Sequence, residues 1–146
     1  MNKFSIALAG ACLMAAPAFA GGHATGDAAA GEEAFSQCQT CHVVVNDEGE
    51  TLAGRNARTG PNLYNLFGRA AGTVEGFRYS PSIVEAGEAG LVWDEEQFVA
   101  YVQDPTGYLR EYLDNNRARG KMSYKVREEA DAVNLWAYLV SLSPES

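Results

Sequence analysis

The chain is 146 residues long, 47% hydrophobic and 10% aromatic, with a formal charge of −8 and three cysteines. That length suits one domain behind a leader. So acidic a chain excludes nucleic acid as a partner, because phosphates select a basic surface.

Met1-Asn2-Lys3 is followed by an apolar, small-residue run from Phe4 to Ala16 and then by Ala18-Phe19-Ala20. A charged start, a short apolar stretch and an A-x-A site read as a secretory signal peptide over residues 1–20, with the working domain at 21–146. The run is too short to span a bilayer and stay there. No other long apolar stretch follows, so the expected product is soluble, periplasmic and without stable membrane insertion. Cys12 has Ala9 three places upstream, where a lipid-anchored cysteine is expected to have Leu. Loss of the leader removes Cys12, Met1, Met14 and Lys3. Two cysteines, one methionine and a charge of about −9 remain, and no disulfide is expected.

Gly21 to Gly26 reads as a small-residue tail, and His23 in it as a surface residue rather than a ligand. Asp27 is placed to cap a helix through Ala28 to Phe35, whose early carboxylates suit the positive end of the dipole. Gly31 inside that helix costs about 1 kcal/mol against Ala, so a close crossing by another helix is expected there. Next comes Cys38-Gln39-Thr40-Cys41-His42. C-x-x-C-H is the attachment signature of c-type haem. Two thiols one turn apart add to the vinyl groups on one porphyrin edge, and the following His then lies under the iron. A zinc site would need two further Cys or His at knuckle spacing, and a thioredoxin-like pair would need a preceding strand. The sequence offers neither.

Val43-Val44-Val45 is an apolar run expected along the haem edge, and residues 46–50 read as a solvated loop. Gly60 to Gly68 reads as a turn and a short helix, and Gly72 to Gly90 as mostly irregular. Asp94-Glu95-Glu96-Gln97 has the form of a capping box, opening a helix with Phe98, Tyr101 and Val102 on its apolar face. Asp104-Pro105 ends it. Thr106 is placed to cap the next helix, with Tyr108, Leu109, Tyr112 and Leu113 on one side. A last helix is expected from about Val126 to Leu142, with Val126, Ala130, Val133, Ala137 and Val140 at helical spacing. The fold class is therefore all-α, with about four to five helices and long loops wrapped around one covalently bound haem. So much irregular backbone would argue against the assignment, but a buried haem supplies a core that loops can wrap.

Met122 is the one methionine left after export, and it sits in the polar stretch Gly120-Lys121-Met122-Ser123. Core filler is not wanted there, so Met122 is the expected sixth iron ligand opposite His42. Thioether ligation raises the reduction potential, and with both axial positions filled the site transfers electrons rather than binding oxygen or peroxide.

These residues resemble the class I c-type cytochromes, specifically the bacterial cytochrome c2 group. The resemblance covers essentially the whole mature chain. Besides the pentapeptide it rests on Gly31 and Phe35, Thr59-Gly60-Pro61-Asn62-Leu63, Phe67-Gly68-Arg69, Gly76-Phe77-Arg78-Tyr79 and Trp93. It continues through Tyr101-Val102-Gln103-Asp104-Pro105, Lys121-Met122 and Leu135-Trp136-Ala137-Tyr138-Leu139. Extra loop residues at 46–54 and before Met122 are similar to the longer c2 proteins rather than to mitochondrial cytochrome c. The resemblance implies that the Pro61 carbonyl accepts from His42, that the Tyr101 hydroxyl approaches the Met122 sulfur, and that Arg69, Tyr79 and Trp93 hold a haem propionate. It also implies that Gly31 and Phe35 meet Leu135 and Tyr138. For Trp93 and Tyr101, simple core packing is the competing reading of the residues themselves.

Charge is sorted along the chain. Residues 105–127 hold six Lys or Arg against two carboxylates, whereas residues 21–50 hold six carboxylates and neither Lys nor Arg. A dipole is expected, positive near Met122, with transient docking to acidic partners. The implied function is that of a monomeric carrier taking electrons from a cytochrome bc-type complex to a photosynthetic reaction centre or a terminal oxidase, and not that of an enzyme. The alternative is a haem enzyme or gas sensor with an open sixth iron position.

Overall fold

The structure is a computed structural model that describes residues 24–143. The leader, Cys12, His23 and Pro144 lie outside the described residues. Among the described residues there are five helices: α1 (Ala28–Phe35), α2 (Pro81–Glu88), α3 (Glu95–Gln103), α4 (Pro105–Tyr112) and α5 (Glu129–Ser141). The sheet content of the described residues is one antiparallel hairpin, β1 (Val44–Val45) with β2 (Thr51–Ala53).

Helix starts follow from local chemistry. The Asp27 side chain accepts from the Ala29 and Ala30 N–H groups, satisfying two donors that a first turn leaves free. The carboxylates of Glu32 and Glu33 lie beyond that first turn, so Asp27 alone faces the positive end of the dipole. Asp94 caps α3 through Gln97 N–H at 2.8 Å. Only half of the capping box forms, because the Gln97 side chain is taken by the Tyr108 hydroxyl of α4.

Four local expectations are corrected. Asp104, not Thr106, caps α4: its carboxylate accepts from Gly107 N–H, with Pro105 in the first turn, while Thr106 Oγ1 accepts from Gly120 N–H. Residues 60–68 form turns without a helix. Asn65 and Gly68 have φ of 52° and 72°, and the Arg69 guanidinium draws the Asn62 and Tyr64 carbonyls to itself. The region read as irregular holds α2, whose start is Ser80-Pro81, with the fixed φ of proline suited to a first turn. Finally, α5 begins at Glu129. Val126 N–H is bonded to the Val102 carbonyl instead, which stitches the preceding segment to α3.

The core forms where α1 and α3 pack on α5. Trp136, Leu139 and Ala132 are almost fully buried, with Phe98 and Phe67 against the Trp136 ring. The buried face of α5 is centred on Leu135 to Leu139 rather than on Ala130 and Val133. Each fully buried large apolar side chain contributes roughly 1.5–3 kcal/mol. Phe35 and Tyr138 stand 5.6 Å apart between ring centroids at the α1–α5 crossing. A β-carbon on Gly31 would lie 2.8 Å from that of Tyr138 and 2.6 Å from the Asn134 carbonyl carbon. That is the close crossing that the glycine permits.

Candidate haem site

Immediately after α1 the backbone turns tightly. Cys38 N–H bonds to the Phe35 carbonyl, and the N–H groups of Cys41 and His42 both bond to the Cys38 carbonyl, at 3.0 and 2.9 Å. This turn brings Cys38, Cys41 and His42 to the wall of one cavity of about 230 Å³, lined mainly by apolar side chains. The rest of the wall comes from distant parts of the chain: Pro61 and Arg69, then Tyr79, Trp93 and Tyr101, and from the far loop Met122. All nine expected site residues therefore meet at one cavity. Val43 to Val45 do not line it. Val44 is fully buried in the hairpin instead, paired with Ala53.

The electrostatics follow burial. The Cys38 thiol is pushed up to about 11, first by burial and then by Cys41 beside it, so the Cys38 sulfur rests as a thiol. Burial lowers the His42 pKa, against the opposing bond to Pro61, which favours a neutral imidazole able to ligate a metal. Its Nδ1 stands 2.9 Å from the Pro61 carbonyl oxygen. With Nδ1–H donated there, Nε2 keeps the lone pair. Burial pushes the Tyr101 phenol up to about 12, with Tyr79 adding in the same direction. Its ring meets Trp93 edge-on, at 5.1 Å between centroids.

The polar residues of the wall fit an anionic group. Arg69 is a partly buried cation that, among the described residues, has no carboxylate partner. It donates to the carbonyls of Tyr64 and Asn62 at 2.8 and 3.2 Å, which leaves further guanidinium donors uncommitted. Burial lowers its pKa, as expected for a cation short of a counter-charge. Ser80, which sequence reasoning missed, is buried on the same wall, and its hydroxyl has no hydrogen-bond partner. Orphaned buried hydroxyls are costly, and a carboxylate is an acceptor suited to either residue. The Tyr79 hydroxyl accepts from Val74 N–H at 3.2 Å and retains its own proton to donate. No sequence signal distinguishes Ser80 from other serines except that it precedes Pro81 at a helix start.

Comparison with known proteins decides what this site is for. No family model matches the chain. Over 118 residues it is 69% identical to cytochrome c2 of Rhodovulum adriaticum, a match spanning 81% of this chain and 94% of that protein. The chain belongs to the cytochrome c2 family. A second cytochrome c2, from Cereibacter sphaeroides, is 60% identical over 115 residues, 78% of this chain and 93% of the relative. The crystal structure of cytochrome c2 from Rhodobacter sphaeroides superposes with a TM-score of 0.78 at 59% identity, covering 80% of this chain and 95% of that one. This cytochrome is thus a class I c-type cytochrome of the c2 group with the all-α fold expected of it. It is an electron carrier rather than an enzyme, and its relatives imply a covalently bound haem c. The free thiols of Cys38 and Cys41, the neutral His42 and the anion-ready wall are chemically suited to that group. Among the described residues, no helix is long and apolar enough to cross a membrane.

Proposed function

We propose that residues 1–20 are a cleaved export signal, and that residues 21–146 form a soluble, monomeric periplasmic carrier. In this reading the carrier takes single electrons from a cytochrome bc-type complex to a photosynthetic reaction centre or terminal oxidase. Cys38 and Cys41 would attach the haem, and His42 and Met122 would ligate its iron. The observation that carries the reading is the convergence of the C-x-x-C-H turn and the Met122 loop, 80 residues later, on one mainly apolar cavity. When bound, the haem supplies a one-electron ferric–ferrous couple.

The residues of the chain do the rest. The Pro61 carbonyl fixes the His42 tautomer and ring direction. Met122 would supply a thioether sulfur to the iron, a ligand type that raises the potential and leaves no open site for small molecules. Arg69, Ser80, Tyr79 and Trp93 would hold a haem propionate, with cation and donors compensating the buried carboxylate. By the same reading, the Tyr101 hydroxyl would approach the Met122 sulfur. Two ties hold the Met122 loop over the cavity. Lys121 Nζ donates to the Arg78 carbonyl and stands 5.9 Å from the Phe77 ring centroid. Lys125 pairs with Asp104 at 2.8 Å.

Transient docking of acidic partners is assigned to the basic stretch 105–127, which includes the exposed Arg117, Arg119 and Lys121. The test of the site is the near-infrared spectrum of the ferric protein. A sulfur-to-iron band together with negligible carbon monoxide binding is expected. A missing band with rapid carbon monoxide uptake would point to an open sixth position.

A further inference from the structure

Two consecutive residues, Gly60 and Pro61, meet the His42 ring, and Asn62 after them anchors the segment, an arrangement that the bond to Pro61 alone does not describe. A β-carbon built on Gly60 would fall 2.6 Å from His42 Nδ1 and 2.8 Å from Nε2, and would also overlap Cε1. The two nitrogens are almost as near as Cε1. That places the added atom over the face of the imidazole, since an edge-on approach would leave the nitrogens clearly farther away. Gly60 therefore lies flat against the ring, and its own conformation does not require glycine, because its φ is not among the positive values. The glycine is required by contact with the ring.

The segment is held rigidly enough for this contact to matter. Gly60 N–H bonds to the Cys41 carbonyl at 2.7 Å, and Leu63 N–H to the Val43 carbonyl at 2.9 Å, so residues 60–63 run beside residues 41–43. The Asn62 side chain then imitates a strand partner for Val45. Its Oδ1 accepts from Val45 N–H at 3.0 Å, and its Nδ2 donates to the Val45 carbonyl at 2.7 Å. The same Oδ1 accepts from Tyr64 N–H at 3.1 Å. Asn62 thus clamps the Pro61 carbonyl between the hairpin and the following turn. A ring held by one hydrogen bond at its edge still rocks about its Cβ–Cγ bond. A ring also stopped on its face does not.

We infer that Gly60 and Asn62 are positioning residues that set the rotation of the His42 imidazole plane, Gly60 by contact and Asn62 by fixing Pro61. This rests on the reading of His42 as an iron ligand. The angle of an axial imidazole decides how its π orbitals meet the iron d orbitals, so the plane tunes the magnetic anisotropy and the potential of the bound group.

The test uses the full-length exported holoprotein and its Gly60→Ala, Asn62→Ala and Gly26→Ala variants. Gly26 is the comparator because a β-carbon there would lie 2.5 Å from the Val133 carbonyl, in contact with α5 instead of His42. Ferric electron paramagnetic resonance g values and the paramagnetic proton shifts of the His42 ring are read beside the unfolding midpoint. Gly60→Ala is expected to move the g values and ring shifts beyond line width, and Asn62→Ala to move them less. Gly26→Ala should lower only the midpoint. Unchanged signatures in Gly60→Ala and Asn62→Ala, or an equal shift in Gly26→Ala, would overturn the inference. Should Gly60→Ala yield no holoprotein, Asn62→Ala decides alone, and unchanged signatures there count against it. An unsubstituted protein lacking the low-spin His–Met signature would instead refute the underlying ligand assignment.

Discussion

Gly31 of α1 and Asn134 of α5 are in backbone contact: the β-carbon that any other residue carries at position 31 would overlap the Asn134 carbonyl group. Helix propensity alone makes Gly31→Ala stabilising by about 1 kcal/mol. The crossing reverses that sign, because the overlapped atoms are backbone and cannot swing aside. Gly31→Ala is expected to destabilise the protein by about 2–3 kcal/mol, the upper range for overpacking. A denaturant titration that gives a lower midpoint with an unchanged slope would agree.

Met122→Ala should keep its haem, since the two thioether bonds do not involve Met122. It should lose the sulfur-to-iron band, and its midpoint potential should fall by on the order of 100 mV or more, within the ~0.8 V range that axial ligands span. Spectroelectrochemical titration of both proteins measures this. An unchanged potential would remove Met122 from the iron.

Asp104 links three elements, since it ends α3, caps α4 and pairs with Lys125 in the loop beyond Met122. Its carboxyl is held below the usual range, first by the Lys125 ammonium and then by the Gly107 N–H. A depressed folded pKa means that the stabilisation is complete above the unfolded value, about 3.9. It is lost as pH falls through the lower folded value. Asp104→Asn should therefore unfold at a lower denaturant midpoint than the unsubstituted protein at pH 7, and the gap should close below about pH 4. A gap of constant size across that range would contradict the assignment.

Charge sorting predicts kinetics. The stretch 105–127 is strongly basic in a chain of charge −8, so association with an acidic membrane complex should be steered. The second-order rate of electron transfer to a purified reaction centre or oxidase should fall as ionic strength rises. A rate independent of salt, followed by stopped flow, would exclude steered docking at this face.

The local signals in the sequence translated well into structure. Asp27 and Asp94 cap where their positions suggest, because capping depends on three or four neighbouring residues. C-x-x-C-H makes a turn for the same reason. Elements decided by distant partners were harder to read. The β1–β2 hairpin is short and half polar, and its first strand is anchored at Val45 by Asn62, well beyond the hairpin in sequence. The α2 helix was obscured by flanking glycines, although Ser80-Pro81 marks its start. Ser80 stands out only by its burial, a property of the assembled cavity and of no local pattern. Pairing Arg69 with the carbonyls of residues 62 and 64 likewise depends on a turn that composition suggested would be helical.

The central claim is that this chain folds around one porphyrin joined to Cys38 and Cys41. Intact-mass and peptide mass spectrometry of the exported protein tests it most directly. The account predicts residues 21–146 plus the mass of one haem, with the addition confined to the peptide that carries both cysteines. A bare polypeptide mass, with both thiols free to alkylate, would contradict it.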